Sequence, residues 1–321
     1  MLEVRDLKKY YFSGGREIRA VNGVSFTVNE NEIFGVVGES GCGKSTLGRL
    51  ILRLLKPSGG QIFFQGKDIS NLNRRAMQAG RRKMQMVFQN PFASFNPKIR
   101  VGSALMEVCR YYGMSTSEGK ERIAGLFTDT ALNEELYYSW PRELSGGQLQ
   151  RLAIVRALLS EPDLIIADEP LSALDVSVQA QLLNLLEGLR SKRNMTMIFI
   201  SHDMNVVEYF CDRVAVMYMG VIMELSSAKE LSADARHPYT RALRASAPRL
   251  DIFKDSSAIA GAIDGAIVGE RIIKGEISDP KAETKGCPFA PRCTEAIDCC
   301  KNSLPELRQV SAGHWVRCCH S

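Results

Sequence analysis

Residues Gly38-Glu39-Ser40-Gly41-Cys42-Gly43-Lys44-Ser45-Thr46 spell G-x-x-x-x-G-K-[ST], a pattern with a mechanism behind each fixed letter. The glycines let the backbone wrap an anion with its N–H groups pointing inward, and the helix that follows adds partial positive charge at its N-terminus. Lys44 supplies a full charge near the β- and γ-phosphates, and the Ser45 hydroxyl can reach Mg²⁺. The flanks fit. Glu32 to Val37 reads as a strand running into the turn, and from Ser45 to Leu55 the residues Leu47, Leu50, Ile51, Leu54 and Leu55 recur at helical spacing. Pro57-Ser58-Gly59-Gly60 ends that helix. Cys42 occupies a free position of the loop and reads as a small filler residue.

A second element of the same chemistry lies downstream. Leu164-Ile165-Ile166-Ala167-Asp168-Glu169-Pro170 is an apolar run ending in two carboxylates. A parallel sheet delivers such a pair to the C-terminal edge of its strand, where ligands bind. Asp168 suits a role in holding Mg²⁺, directly or through water, and Glu169 that of general base for a water attacking the γ-phosphate. Together with the loop, the pair points to a phosphate-loop NTPase, an α/β fold.

The rest of the chain alternates in the same sense. Leu2 to Val4 and Ala20 to Val28 read as strands at the start, Gln61 to Phe64 and Met84 to Phe88 as further strands, and Met195 to Ile200 as another buried one. Residues 102 to 160 are mostly helical, interrupted around Trp140-Pro141, which marks an inserted helical piece. After about residue 245 the pattern weakens into a Gly/Ala/Ile segment and then a cysteine-rich tail.

Composition narrows the class. The 321 residues are 45% hydrophobic and 24% charged, ample for a core and more than one domain. No apolar stretch approaches the roughly 20 residues needed to cross a bilayer. The N-terminus has neither a basic n-region nor an apolar h-region, so the expected location is cytoplasmic. The net charge of +5 is mild, and its densest runs, Arg74-Arg75 and Arg81-Arg82-Lys83, read as solvated faces of a loop and a helix rather than a nucleic-acid surface. Nine cysteines in that compartment are not expected to form a disulfide framework.

Leu144-Ser145-Gly146-Gly147-Gln148, opening a helix just before the acidic strand, resembles the signature of ATP-binding-cassette ATPases. The resemblance implies a RecA-like core with an N-terminal antiparallel β-subdomain, an inserted helical subdomain at about residues 90–160 and a C-terminal cysteine-rich extension. The cassette would span 1–245 and the extension 246–321. It further implies that Ser145, Gly146, Gly147 and Gln148 meet ATP held by a second subunit, so that nucleotide joins two subunits head to tail. Gln89 in Val87-Phe88-Gln89-Asn90-Pro91 matches the loop whose Gln senses Mg²⁺ and the attacking water. Ser172-Ala173-Leu174-Asp175 matches the interface-crossing D-loop, and Ile200-Ser201-His202-Asp203 the switch, with His202 on the γ-phosphate. Tyr11 is the best-placed ring to stack on adenine, with Tyr10 and Phe12 as rivals. Mg²⁺ would be held by Ser45, Gln89 and Asp168. Leu149 departs from the Arg that the subfamily usually carries there.

Beyond these motifs, Met84 to Pro97, Ser172 to Gln181 and His237-Pro238-Tyr239-Thr240 look like the ATPases of dipeptide/oligopeptide importers, with the related nickel importers as the alternative. A soluble cassette ATPase is disfavoured, since the chain has one cassette and no long heptad tract. The HPYT stretch reads as a packed corner. The implied partners are a second ATPase subunit, identical or paralogous, two integral-membrane permeases and an extracytoplasmic binding protein, with the chain at the cytoplasmic face of the membrane.

Six cysteines crowd the tail: Cys287, Cys293, Cys299, Cys300, Cys318 and Cys319. No C-x₂-C pair occurs, so common zinc spacings do not fit. The pattern is similar to the extension of peptide-importer ATPases, where four cysteines hold a [4Fe–4S] cluster. Register with that family selects Cys287, Cys293, Cys300 and Cys318, leaving Cys299 and Cys319 as near-duplicates; a zinc-bound or unstructured tail, or a disulfide, are the alternatives. A tail with few large apolar side chains needs a cross-link to offset about 1–2 kcal/mol of backbone entropy per residue.

Overall fold

The computed structural model describes residues 1–73, 75–172, 174–246 and 285–320. Arg74 of the basic run, Ala173 of the D-loop and the Gly/Ala/Ile segment of the sequence reading lie outside them. The chain forms two compact units, residues 1–71 with 199–321, and residues 72–198.

The first unit opens with a long hairpin, β1 (Leu2–Ser13) and β2 (Arg16–Val28). Its two-residue turn is Gly14-Gly15, both at positive φ, which matches the right-handed twist of the flanking strands. Then come β3 (Ile33–Val37), buried throughout, α1 (Lys44–Ile51), β4 (Gly59–Phe64) and β5 (Lys67–Asp68). Strands β2, β1, β4 and β5 form an antiparallel sheet in that order. Helix α1 is shorter than its apolar spacing predicts. Arg53 sits at φ 53°, and the Leu54 and Leu55 N–H groups both turn back to the Arg49 carbonyl, so the chain leaves the helix before Leu54, which is exposed.

In the second unit, α2 (Ala76–Lys83) carries the basic run, with Arg82 and Lys83 exposed. Strand β6 (Met84–Val87) is followed by α3 (Val101–Tyr111), α4 (Thr116–Asp129) and α5 (Gly146–Leu158), with 3₁₀ turns at Glu134–Tyr138 and at Pro141–Glu143, the second of them at the expected break around Trp140-Pro141. Strand β7 (Leu164–Asp168) pairs parallel with β6, Met84 opposite Leu164 and Val87 opposite Ala167. Helix α6 (Val176–Arg193) follows. Ser115 and Glu118 form a capping box at the start of α4, and Asp129 at its end is gripped by Lys192 at 2.5 Å and Arg193 at 2.6 Å.

Strand β8 (Thr196–Ser201), wholly buried, leads back to the first unit. There α7 (Met204–Phe210), β9 (Arg213–Tyr218), β10 (Val221–Ser227), α8 (Ala228–Ala233) and α9 (Pro238–Ser246) follow. After the segment not described come α10 (Asp298–Asn302), β11 (Arg308–Ser311) and β12 (His314–Val316). Strand β9 runs parallel to β3, whereas β10 pairs antiparallel with β9, β12 with β10, and β11 with β12. The tail therefore adds two strands to the sheet that carries the phosphate loop. His314 on β12 and Glu224 on β10 are both fully buried and joined at 2.7 Å. Glu224 also accepts the Arg236 and His237 N–H groups at 2.8 and 3.0 Å, so this buried carboxylate is well satisfied.

Candidate functional site: a nucleotide site and a cysteine cavity

The phosphate loop leaves the buried end of β3 and enters α1 at Lys44. Two of its glycines are required by close approach. A Cβ on Gly38 would lie 2.1 Å from the Met217 carbonyl oxygen, and one on Gly43, at φ 107°, 2.1 Å from that of Ala20. The backbone of β9 and of the hairpin thus presses the loop into shape. Lys44 is buried and donates to the Gly38 carbonyl at 2.7 Å and the Glu39 carbonyl at 3.0 Å. Cys42 is buried as well, and burial pushes its thiol pKa up, against the nearby Lys44 charge, in keeping with a filler role. Ser40 and Gly41 are exposed, with Glu39, Gly43, Ser45 and Thr46 half-buried.

Tyr11 and His202 belong to the same unit. Tyr11 is exposed with the Lys9 ammonium 5.0 Å from its ring centre. Its rival Tyr10 is engaged through its hydroxyl, which donates to Asn22 at 2.8 Å, and Phe12 is the most exposed of the three. His202 is exposed at the end of β8, just before Asp203 caps α7 by accepting the Asn205 N–H at 2.9 Å.

In the second unit, β7 delivers Asp168 buried and Glu169 half-buried at its C-terminal end, as the apolar run predicts. Glu169 takes a left-handed φ of 47°, which turns its side chain out of the strand. Gln89, beyond the end of neighbouring β6, donates from Nε2 to the Glu169 carboxylate at 2.8 Å. Parallel pairing of β6 and β7 therefore brings together two residues that the sequence reading placed on the same water.

The signature residues open α5. Ser145 is its N-cap, accepting the Gln148 N–H at 3.3 Å, while the Gln148 side chain accepts the Ser145 N–H at 2.9 Å. Ser145 is exposed, and Gly146 and Gly147 are half-buried. A Cβ on Gly147 would come within 2.9 Å of Val178 on α6, so a side chain there crowds the helix start. Leu149 is fully buried, so in place of an arginine it anchors the helix to the interior. Asp175 precedes α6 and is exposed, in a turn braced by Gln179, whose side-chain amide donates to the Leu171 and Leu174 carbonyls at 3.1 and 3.0 Å.

The tail gathers its cysteines. Cys287, Cys293, Cys300, Cys318 and Cys319 all line one small cavity, and the sulfurs of Cys299, Cys300 and Cys319 lie within 4.8 Å of one another. Burial raises the Cys287 pKa to about 11 and also raises those of Cys293 and Cys318. Opposing that, the Phe289 and Ala290 N–H groups point at the Cys287 sulfur, that of Glu295 at Cys293 and that of His320 at Cys318. Cys299 and Cys319 form a disulfide, their Cα atoms 6.6 Å apart, within the usual span for such a bond. A disulfide is one of the alternatives the tail leaves open in sequence, and α10 and the turn after β12 bring these two near-duplicates face to face. His237 is buried, donates its N–H to Glu224 and accepts the Tyr239 N–H on Nδ1 at 3.0 Å, so HPYT is the packed corner it was read as.

Comparison with known proteins places the chain. An ABC transporter family model matches residues 21–172, and an oligopeptide/dipeptide transporter C-terminal region model matches residues 223–300. A putative peptide import ATP-binding protein of Brucella ovis is 44% identical over 319 residues, covering 99% of this chain and 97% of that one. The chain belongs to the ATP-binding subunits of ABC peptide importers. This importer ATPase is also 45% identical over 328 residues to the oligopeptide transport ATP-binding protein AppF of Bacillus subtilis, covering 99% of this chain and 96% of that one. Among solved structures, a dimeric ATP-binding cassette in a post-hydrolysis state with ADP and Pi matches with a TM-score of 0.66 and 29% identity, over 71% of the importer ATPase and 99% of that cassette. Among the described residues, no helix is long and apolar enough to cross a membrane.

Two contacts of the importer ATPase were not legible in its sequence. Arg292 in the tail forms a paired ion bridge with Glu39 of the phosphate loop, and the Glu39 N–H donates to the Tyr239 hydroxyl at 2.9 Å. Arg292 lies in a Pro-Arg-Cys run whose neighbours carry no sign of the phosphate loop.

Proposed function

We propose that this chain binds ATP on residues 38–46 and hydrolyses it as one half of a head-to-tail dimer, on the cytoplasmic face of a membrane, to drive peptide import through two permeases fed by an extracytoplasmic binding protein. The 2.8 Å bond between Gln89 and Glu169 carries the chemical part of this reading. An amide donating to a carboxylate fixes which Glu169 oxygen faces outward, so the base is oriented before water arrives. Glu169 then accepts the proton of the water that attacks the γ-phosphate, a step to which a positioned base contributes roughly 10² to 10⁴ in rate.

Lys44 neutralises phosphate charge, moving from the carbonyls it holds to the anion, and the loop N–H groups cradle the remaining oxygens. Ser45, Gln89 and Asp168 would hold Mg²⁺ through their side-chain oxygens, and the ion would supply neutralising charge to the phosphates. His202 meets the γ-phosphate, and Tyr11 stacks on adenine. Ser145, Gly146, Gly147 and Gln148 serve the nucleotide of the other subunit, with Asp175 crossing between subunits. The dimeric state of the related cassette supports that arrangement.

Of the five cysteines on that cavity, Cys287, Cys293, Cys300 and Cys318 are the ones this reading assigns to a [4Fe–4S] cluster, and backbone N–H groups meet three of these four. Burial alone opposes the thiolate forms, and a cationic iron core, if bound, would favour them. No redox step in ATP hydrolysis needs the cluster, which leaves it a structural or an oxidant-sensing role.

The test is uptake in cells lacking this chain. Loss of di- or oligopeptide uptake, restored by the wild-type chain and not by Lys44→Ala, supports the reading. Intact peptide uptake with lost nickel uptake sinks it in favour of the metal importer.

A further inference from the structure

We propose that Arg292 is a positioning residue for the phosphate loop, so that the cysteine-bearing tail sets how well the loop receives nucleotide. Arg292 donates from Nη1 and Nη2 to the two Glu39 oxygens at 2.8 and 2.9 Å, the planar fork that arginine offers and lysine does not. Both side chains are withdrawn from water, at 6% and 16% exposed. Glu39 is the second residue of the loop, and its backbone is held too. Its N–H donates to the Tyr239 hydroxyl, and its carbonyl accepts from Lys44.

The other end of the bridge is equally fixed. Arg292 Nη1 also donates to the Tyr218 hydroxyl at 3.2 Å, and the guanidinium lies 5.8 and 5.9 Å from the ring centres of Tyr218 and Phe289. It closes a 3₁₀ turn, Ala290–Arg292, between Cys287 and Cys293, so the conformation of the cysteine segment dictates where the guanidinium sits. Two effects follow. The bridge orders the loop backbone at Glu39 before nucleotide arrives, and it cancels a carboxylate that would otherwise repel phosphate. Both act on nucleotide and transition state alike, and neither Arg292 nor Glu39 touches the water or its base. The expected signature is therefore weaker binding at nearly constant turnover.

The inference rests on residues 38–46 being the nucleotide loop, and the experiment separates the two. Full-length wild type, Lys44→Ala, Arg292→Ala, Arg292→Lys, Glu39→Ala and the Arg292→Ala/Glu39→Ala double variant are compared by titration with a fluorescent ATP analogue and by steady-state ATPase kinetics. Losing a charge-assisted pair should raise Kd and KM by roughly tenfold or more in Arg292→Ala, with kcat within about threefold. Arg292→Lys should fall between it and wild type. The double variant should bind better than the sum of the single losses requires, because removing Glu39 also removes its unpaired charge. By reciprocity, ATP should slow hydrogen exchange in residues 285–320 of wild type and not of Arg292→Ala. Equal affinity of wild type and Lys44→Ala would reject the loop assignment itself. With that assignment standing, wild-type affinity in a folded Arg292→Ala, or the same loss with and without Glu39, overturns the proposal. Should Arg292→Ala melt below the assay temperature, Arg292→Lys and Glu39→Gln, which keep side-chain volume, decide by the same criterion.

Discussion

Replacing Glu169 by Gln separates chemistry from binding, and the structure sets the size of each effect. The substitution exchanges one carboxylate oxygen for an amide, keeps the side-chain length, and leaves an oxygen able to accept the Gln89 amide that now lies at 2.8 Å. That bond weakens from charge-assisted to neutral, a change of about 1 kcal/mol at most at this partly exposed position. ATP affinity, set by the loop of the other unit, should stay within about fivefold of wild type. Turnover should fall by roughly 10² to 10⁴, equivalent to about 3–5 kcal/mol on the barrier, because no group remains to take the proton from water. Phosphate-release kinetics give kcat, and equilibrium titration gives affinity. A kcat within tenfold of wild type would refute the assignment of Glu169 as base. A matching collapse of ATP affinity would refute the separation of roles.

Other expectations follow from single contacts. Gly43→Ala forces a Cβ to within 2.1 Å of the Ala20 carbonyl at φ 107°; the strain should exceed about 1–3 kcal/mol, lowering the melting temperature and abolishing ATP binding. Ser145→Ala removes the α5 cap and should cost about 1 kcal/mol in stability, while ATPase activity of the dimer falls much further. Asp129 has its pKa lowered by its bond to Lys192 and then by Arg193, so it stabilises the fold above its unfolded value near 4 and loses that contribution as pH falls below it. Melting curves between pH 5 and 3 should therefore drop more steeply for wild type than for Asp129→Asn, by about 1 kcal/mol in total. Iron and acid-labile sulfide, measured after anaerobic purification, should be lost in Cys287→Ser or Cys318→Ser and kept in Cys299→Ser; zinc without iron would reject the cluster.

What could be read in advance was local. The loop, the acidic strand end and the signature each combine a fixed residue order with the element that follows, so Lys44, Glu169 and Ser145 could be placed on their strands and helices directly. Strand β1 was seen only as Leu2 to Val4, because its later residues, Lys8 to Tyr11, mix charge and aromatics without clean alternation; pairing with β2 imposes the conformation. Helix α1 was overextended because Leu54 and Leu55 continue the helical spacing, and the turn at Arg53 leaves no periodic trace. The tail strands β11 and β12 are short, and what places them is pairing with β10 and the buried His314–Glu224 contact. Contacts such as that one and Arg292–Glu39 join residues far apart in the chain, and nothing within a few positions of either partner announces them.

The span of the Arg292–Glu39 bridge has a consequence in time. The two residues are 253 positions apart, so the phosphate loop leaves the ribosome long before the arginine that pairs with it. At roughly 5–20 residues per second the interval is about 13–50 s, during which the loop carries an uncompensated carboxylate. A chain cut short before Arg292 remains in that condition permanently. On the reading that the bridge tunes the phosphate loop, the loop waits for its full hold on nucleotide until the segment that carries Arg292 has been made and has folded back onto it.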